Sequence, residues 1–383
     1  MAARRPSVHR CPVRPLLSCR IRNSAHRLSS SERFAQRHIG WDSACYPGHC
    51  GGVLAATAIS QSAADPLSGL VLRDAPEPQP KPGWGVVRVV SSSLNMHDLW
   101  TLRGVGHPPE NLPIVLGCDA AGYDEDGNEV IVHPVIGDPD AGGGDETLDP
   151  GRALLSERHD GAFAEYLTVP RRNIVPKPTW LSFDEAACLP VAWTTAYRML
   201  FTQAGVKAGD RVLVQGAGGG VSSAAIKLAA AAGAVVYATS RSETKCAEAV
   251  NWGAREAFPT GERLPERVDV VIETVGEATW SHSLKSLRPG GTVVIGGATT
   301  GMNPPADLGR IFYLQQRILG STGGTRTELI AMLRMLEATG TRPVIDRTLP
   351  LTDIHKGFQL MIDGAVSGKV VIHPPAPDHG GTP

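Results

Sequence analysis

The apolar run Val212–Val214 is followed at once by Gly216, Gly218, Gly219 and Gly220, then by an alanine-rich stretch from Ser222 to Ala232 that Gly233 closes. Such a run suits a strand buried on both faces, and Gly233 can take the positive φ of a helix end. Strand, glycine-rich turn and helix in this order suit a pyrophosphate. The glycines let the backbone come close, and the free N–H groups at the helix start point at the anion. In such a unit an Asp or Glu about 20 residues past the glycines would take a ribose 2′-hydroxyl. Here the second strand, Ala234–Thr239, ends in Ser240 and Arg241, with Lys245 one helical turn on. A hydroxyl, a guanidinium and an ammonium suit a 2′-phosphate, which favours NADPH over NADH.

That turn needs a sheet behind it. From Asp210 the sequence alternates strand and helix: Arg267–Glu273, a helix over Trp280–Leu287, Thr292–Gly296 and Arg317–Ser321. The alternation predicts a parallel sheet with helices on both faces. Upstream, Leu70–Leu72, Val86–Val90, Glu129–His133 and Phe163–Val169 read as strands in a region crowded with Gly and Pro. Residues 136–158 read as a surface loop, too polar and glycine-rich to pack. A helix follows, with Ser182 at its N-cap and Glu185 at the capping-box spacing. The end of the chain gives helices over Glu328–Leu336 and Asp353–Asp363 and then the segment GKVVIHP. The expected fold class is α/β, a β-rich first domain completed by the C-terminus around an inserted doubly wound domain.

A chain of 383 residues exceeds one compact core. Its net charge of −1 gives no electrostatic case for nucleic acid or anionic membrane as partner, and no apolar run reaches the ~18 residues of a membrane span. Seven cysteines without framework spacing argue for reduced thiols and a cytoplasmic protein. Residues 1–52 stand apart: the first forty are rich in Arg and Ser, with Glu32 the sole acid. This composition fits an organellar transit peptide, or else a disordered extension without function. Cys45, His49 and Cys50 lack a second ligand pair at finger spacing. Residues 376–383 read as a disordered tail.

Several motifs together resemble the medium-chain dehydrogenase/reductase superfamily, in its zinc-independent branch of NADPH:quinone oxidoreductase-like and alkenal-reductase-like enzymes. They are SLNMHDLWTLRG (93–104), LPIVLGCDAAG (112–122), DGAFAEYLTVPRRNIVPKP (160–178), LSFDEAACLPVAWTTAYRML (181–200), VLVQGAGGGVSSAAI (212–226), VDVVIETVG (268–276), LRPGGTVVIGG (287–297) and GKVVI (368–372). The resemblance implies a GroES-like catalytic domain over 53–181 and 323–375, and a Rossmann NADPH-binding domain over 182–322. Zinc-using alcohol dehydrogenases of the superfamily hold their catalytic metal at places that fall here on Asn95, Cys118 and Val191. An apolar side chain cannot ligate, and one thiol beside an amide is not a soft tetrahedral set, so no metal is expected. The four-cysteine lobe would fall within 136–158, which has no cysteine.

Without a Lewis acid, hydride addition to a polarised double bond is the accessible chemistry, with charge moving to an oxygen that hydrogen bonds can hold. The implied reaction is reduction of a quinone or an α,β-unsaturated carbonyl by NADPH. As the resemblance implies, Asn95 and Asp98 organise the cleft, Asp98 orienting the Asn95 amide, while Thr194 and Thr195 line the nicotinamide pocket. Gly216, Ala217, Gly218, Gly219, Gly220, Val221, Ser240, Arg241, Lys245, Val275, Gly276, Gly296 and Gly297 bind the cofactor. Trp100 and Trp193 shape the substrate pocket, and His97 is a candidate proton donor. Ser222 stands where the superfamily's nucleotide turn has its third glycine. A homodimer through Arg317–Ser321 is the implied assembly. The alternatives are a zinc-dependent alcohol dehydrogenase using Cys118 with His97 or Asp119, and an NADPH-binding protein without catalysis, of sensor or crystallin type.

Overall fold

The computed structural model describes residues 53–375. The transit-peptide-like segment, the Cys45/His49/Cys50 group and the tail 376–383 lie outside them. Among the described residues no helix is long and apolar enough to cross a membrane.

Six strands pair in the order Glu256–Pro259, Val235–Ser240, Arg211–Val214, Val268–Glu273, Leu287–Ile295 and Arg317–Gly320, all parallel. Parallel neighbours need crossovers, which the helices Gly220–Ala231, Glu243–Asn251 and Glu277–Ser286 provide. The strand order reverses on either side of Arg211–Val214, and there a crevice opens beyond the carboxyl ends of the strands. Val212, Leu213 and Val214 are fully buried, as the apolar run predicts.

A second, mixed sheet is centred on Trp84–Ser93. This strand pairs antiparallel with Asp119–Asp124, with Tyr166–Pro170 and with the C-terminal strand Lys369–His373. Lys369–His373 in turn pairs parallel with Ile345–Pro350, so the last strand of the chain lies deep in a sheet begun near its start. Asp119–Asp124 gives little strand signal because its residues are DAAGYD rather than β-branched. Gly122 is required there, since a Cβ would stand 1.9 Å from the Arg88 carbonyl oxygen.

The structure departs from two expectations. Residues 136–158 are not a surface loop: Val135–Ile136 pairs with Ala153–Leu154, and Glu146, Thr147, Leu155 and Ser156 are buried. Distant donors make the polar composition packable. The Arg198 guanidinium lies between Asp145 at 2.5 Å and Glu328 at 2.9 Å, and Glu146 accepts the backbone N–H of Arg326 at 2.7 Å. Paired polar groups can be buried where single ones cannot.

The second departure is one of regularity: the helix after Ser182 is present, but it is not continuous α-helix. Ser182 does cap Phe183–Ala187, its Oγ accepting the Glu185 N–H at 3.2 Å and Glu185 reaching back to its N–H at 2.9 Å. Beyond that the chain widens into two π-turns, Leu189–Trp193 and Arg198–Gln203, on either side of Thr194–Tyr197. Pro190 has no N–H for the helical ladder, and the break draws a partner from the other sheet. The Val191 N–H donates to Asp119 Oδ1 at 2.8 Å. π-turns of this kind recur at functional sites.

Candidate active site

A cleft of about 610 Å³ is lined from both sheets. Its nucleotide wall is the glycine-rich turn. Gly216, Gly219, Gly220 and Val221 line it, with Val275, Gly296 and Gly297 from neighbouring strand ends. Gly218, at φ +123°, and Gly220 are forced by two lysine stems: a Cβ would stand 2.5 Å from Lys245 Cδ at the first and 2.8 Å from Lys369 Cδ at the second. Ser222 Oγ accepts the Gly219 N–H at 3.0 Å and donates back to the Gly219 carbonyl at 3.1 Å. The serine in the third small position therefore braces the turn.

Ala217 and Ser240 lie behind this wall, the Ala217 N–H on the Thr239 carbonyl at 2.7 Å and Ser240 Oγ on the Ala217 carbonyl at 3.3 Å. Gly276 belongs to a turn shaped by Glu273, a fully buried carboxylate that the sequence did not single out. Glu273 accepts the N–H groups of Val275 and Gly276 at 2.8 and 3.0 Å and the hydroxyls of Thr279 and Ser283. Of the basic patch, Lys245 lines the cleft but its ammonium donates to the Gly364 and Val366 carbonyls, both at 2.8 Å. Burial lowers its pKa. Arg241 is exposed and has no hydrogen bond or ion pair among the described residues.

At the floor, Asn95 ends the loop after Trp84–Ser93 and begins the helix Met96–Arg103. Its Nδ2 donates to Asp119 Oδ2 at 2.8 Å and to the Ser93 carbonyl at 3.2 Å, while its Oδ1 accepts Lys369 Nζ at 2.6 Å. Both amide hydrogens are engaged within the protein. Asp98 does not orient this amide. It is buried beneath, accepting the backbone N–H of Asn95 at 2.9 Å and of Gly117 at 3.1 Å. Burial lifts its carboxyl to about 7, against the pull of those donors and of Lys369.

Asp119 orients the amide instead. Its Oδ2 also accepts Ser93 Oγ at 2.6 Å and Lys369 Nζ at 3.1 Å, and the ammonium completes its set on the Leu94 carbonyl at 2.7 Å. Asp119 was given a role in the sequence reading only as a substitute metal ligand, and Lys369, within the motif GKVVI, was given none. The two are 250 residues apart, and no local pattern joins them.

The places where zinc-using relatives hold a metal do not form a ligand set here. Cys118 is buried, donating to the Leu155 carbonyl at 3.2 Å beside Ser156 Oγ at 3.3 Å, and burial pushes its thiol well up. Val191 offers an N–H alone, and Asn95 and Asp119 are joined through Lys369. No group of three His, Cys, Asp or Glu able to hold a metal occurs among the described residues.

Trp100, Met96 and His97 line the substrate end with Val135 and Leu154 of the buried lobe. Trp193 does not: it is fully buried in the apolar core with Met199, Val214 and Leu329. Thr194 is likewise turned away, its Oγ1 donating to the Leu189 carbonyl at 3.1 Å. Its neighbour Thr195 lines the cleft, and its hydroxyl has no partner among the described residues. Burial and the nearby His107 hold His97 near 4, so at neutral pH it is an uncharged imidazole, its Nε2 3.7 Å from Glu157 Oε1.

Residues 81–179 match the family model of the alcohol dehydrogenase GroES-like domain, and residues 220–338 that of the zinc-binding dehydrogenases. The acryloyl-coenzyme A reductase of Sulfurisphaera tokodaii is 31% identical over 332 residues, covering 81% of this chain and 98% of its own length. A 2-methylene-furan-3-one reductase of Solanum lycopersicum is 32% identical over 302 residues, covering 76% of this chain and 71% of its own. Among solved structures, a 2-octenoyl-CoA carboxylase reductase in complex with NADP and 2-octenoyl-CoA superposes with TM-score 0.78 at 26% identity, over 87% of this chain and 90% of that one. An NAD-dependent alcohol dehydrogenase superposes with TM-score 0.76 at 32% identity, over 84% and 99%. With a GroES-like sheet, a Rossmann turn and the cleft between them, the chain belongs to the medium-chain dehydrogenase/reductase superfamily, in its alkenal-reductase-like branch.

Proposed function

We propose that this protein is an NADPH-dependent reductase that delivers hydride to the β-carbon of an α,β-unsaturated carbonyl without a catalytic metal. The observation that carries this reading is the cleft floor, where Asn95, Asp119 and Lys369 satisfy one another at the place of a metal, beside a glycine-rich turn. An alcohol would need a Lewis acid to lose its proton; a conjugated double bond accepts hydride without one. Acryloyl thioesters and methylene-furanones, the substrates in the names of two relatives, share that conjugated unit. We therefore favour an enone or enoyl thioester over a quinone.

In this reading the start of the helix Gly220–Ala231 takes the pyrophosphate, and Arg241 takes the 2′-phosphate. Thr195, Gly296 and Gly297 flank the nicotinamide, and Trp100 and His97 face the substrate. Cys118, Cys188 and Cys246 are free thiols, which fits a cytoplasmic enzyme. Phe312 and Tyr313, 74% and 79% exposed just before the edge strand Arg317–Gly320, fit burial against a second copy. A Phe312→Glu variant then halves the solution mass.

The test is NADPH and NADH oxidation measured side by side with acryloyl-CoA, crotonyl-CoA, simple enones, quinones and alcohols. Turnover of the conjugated carbonyls with preference for NADPH supports the reading. Zinc-dependent alcohol oxidation without enone turnover overturns it, and tight NADPH binding without any turnover points to a non-catalytic role.

A further inference from the structure

Resting on that reading, we propose that the Asp119–Lys369 pair acts as a fixed dipole whose positive end faces the reacting part of the cleft, bonded to Asn95 and Val191, two of the places that the resemblance gives to a metal ligand. Lys369 and Asn95 line the cleft, whereas Asp119 does not. Asp119 is 0% exposed, and its charge is spread over four donors: the Val191 N–H, Ser93 Oγ, Asn95 Nδ2 and Lys369 Nζ. The ammonium is 2% exposed and its three hydrogens are held by the Leu94 carbonyl, Asn95 Oδ1 and Asp119 Oδ2. It has no hydrogen left for a ligand, so it acts on the cleft as a charge and not as a donor.

A charge held this way needs no reorganisation when the reaction occurs, and the low dielectric of a closed cleft strengthens its effect. When hydride bonds to the β-carbon, the C=C electron pair shifts and the carbonyl oxygen becomes an enolate oxygen. A proton from water then completes the α-carbon. The positive end of the pair stabilises the negative charge in that first step. Lys369 also fixes the Asn95 amide with its oxygen toward the ammonium, which makes it a positioning residue as well.

Three variants test this: Lys369→Met, the charge-free double variant Asp119→Asn with Lys369→Met, and Asp119→Asn alone. Single-turnover hydride transfer from NADPH to an enone is read beside NADPH affinity and the urea midpoint. The ammonium-free variants are expected to lose about 10- to 100-fold in the hydride-transfer rate, with NADPH affinity changed far less. The double variant recovers the stability that Lys369→Met loses, and Asp119→Asn, which keeps the ammonium, loses less of the rate than either ammonium-free variant. A double variant transferring hydride at the wild-type rate, an equal fall in Asp119→Asn, or a loss confined to NADPH affinity would each overturn the proposal. If Lys369→Met does not fold, the comparison of the other two decides. Wild-type protein inactive on every conjugated carbonyl defeats the reductase reading itself, a result distinct from any of these.

Discussion

The floor of the cleft and its walls treat polar groups in opposite ways. At the floor, every hydrogen of Asn95 and Lys369 has a protein partner, and Asp119 accepts from four donors. Along the walls the Thr195 hydroxyl, and away from them the exposed Arg241, have no partner among the described residues. Buried polar groups cost stability unless paired, so a satisfied network is part of the fold, whereas unsatisfied groups facing a cleft are available to a ligand. Substitutions at the floor should therefore be read in stability, and those on the walls in binding.

Asp119→Ala should have the largest effect. It strands the Lys369 ammonium and three further donors in the interior, and is expected to cost about 3–5 kcal/mol in urea unfolding. A cost below about 1 kcal/mol would show that the floor is not the closed network described.

Next in size is a pair of opposed pH effects from adjacent residues. His97, held near 4, stays neutral in the fold, while in the unfolded chain it takes a proton near its ordinary value of about 6.5. Its contribution is complete above that pH and is lost as pH falls toward 4. Asp98, raised to about 7, keeps its proton in the fold after the unfolded chain has ionised near pH 4, so its contribution is complete in acid and is lost as pH rises through 7. Relative to wild type, the urea midpoint of His97→Gln should fall between pH 4.5 and 7 as roughly that window is crossed, and that of Asp98→Asn should rise. Parallel profiles for the two variants would contradict the burial assigned to both.

Arg198→Ala, which removes the guanidinium between Asp145 and Glu328, should cost about 2 kcal/mol, less than Asp119→Ala because Asp145 is partly reached by water. It should also raise the substrate KM, since the lobe it anchors lines the cleft. The smallest effect belongs to an exposed residue: Arg241→Ala should leave the urea midpoint unchanged and raise the KM for NADPH about tenfold, a loss of about 1.4 kcal/mol, with no change for NADH. Equal losses for both cofactors would remove the guanidinium from the 2′-phosphate.

The glycine-rich turn was legible in sequence because its cause is local: apolar strand, glycines and helix follow one another within twenty residues. The parallel strands were legible for the same reason, except Glu256–Pro259, which is short and carries Glu and Pro. What escaped was set by partners far along the chain. Residues 136–158 look unpackable until the Arg198 guanidinium and the backbone N–H of Arg326 are placed beside them, and Asp119 has no charge partner until residue 369. Trp193 and Thr194 were misplaced for a different reason. The π-turn at Leu189–Trp193 shifts the angular phase of the helix, so the hydroxyl that reaches the cleft is that of Thr195.

The position of the C-terminal strand Lys369–His373 within the first sheet sets an order of events during synthesis. The parallel sheet is encoded by the continuous stretch 211–320 and can close while later residues are still being added. Asp119 is made early, and its counter-ion lies 250 residues behind, about 10–50 s later at ordinary translation speeds. Over that interval the carboxylate must remain hydrated, so the two halves of the cleft cannot seal until residue 369 has been made.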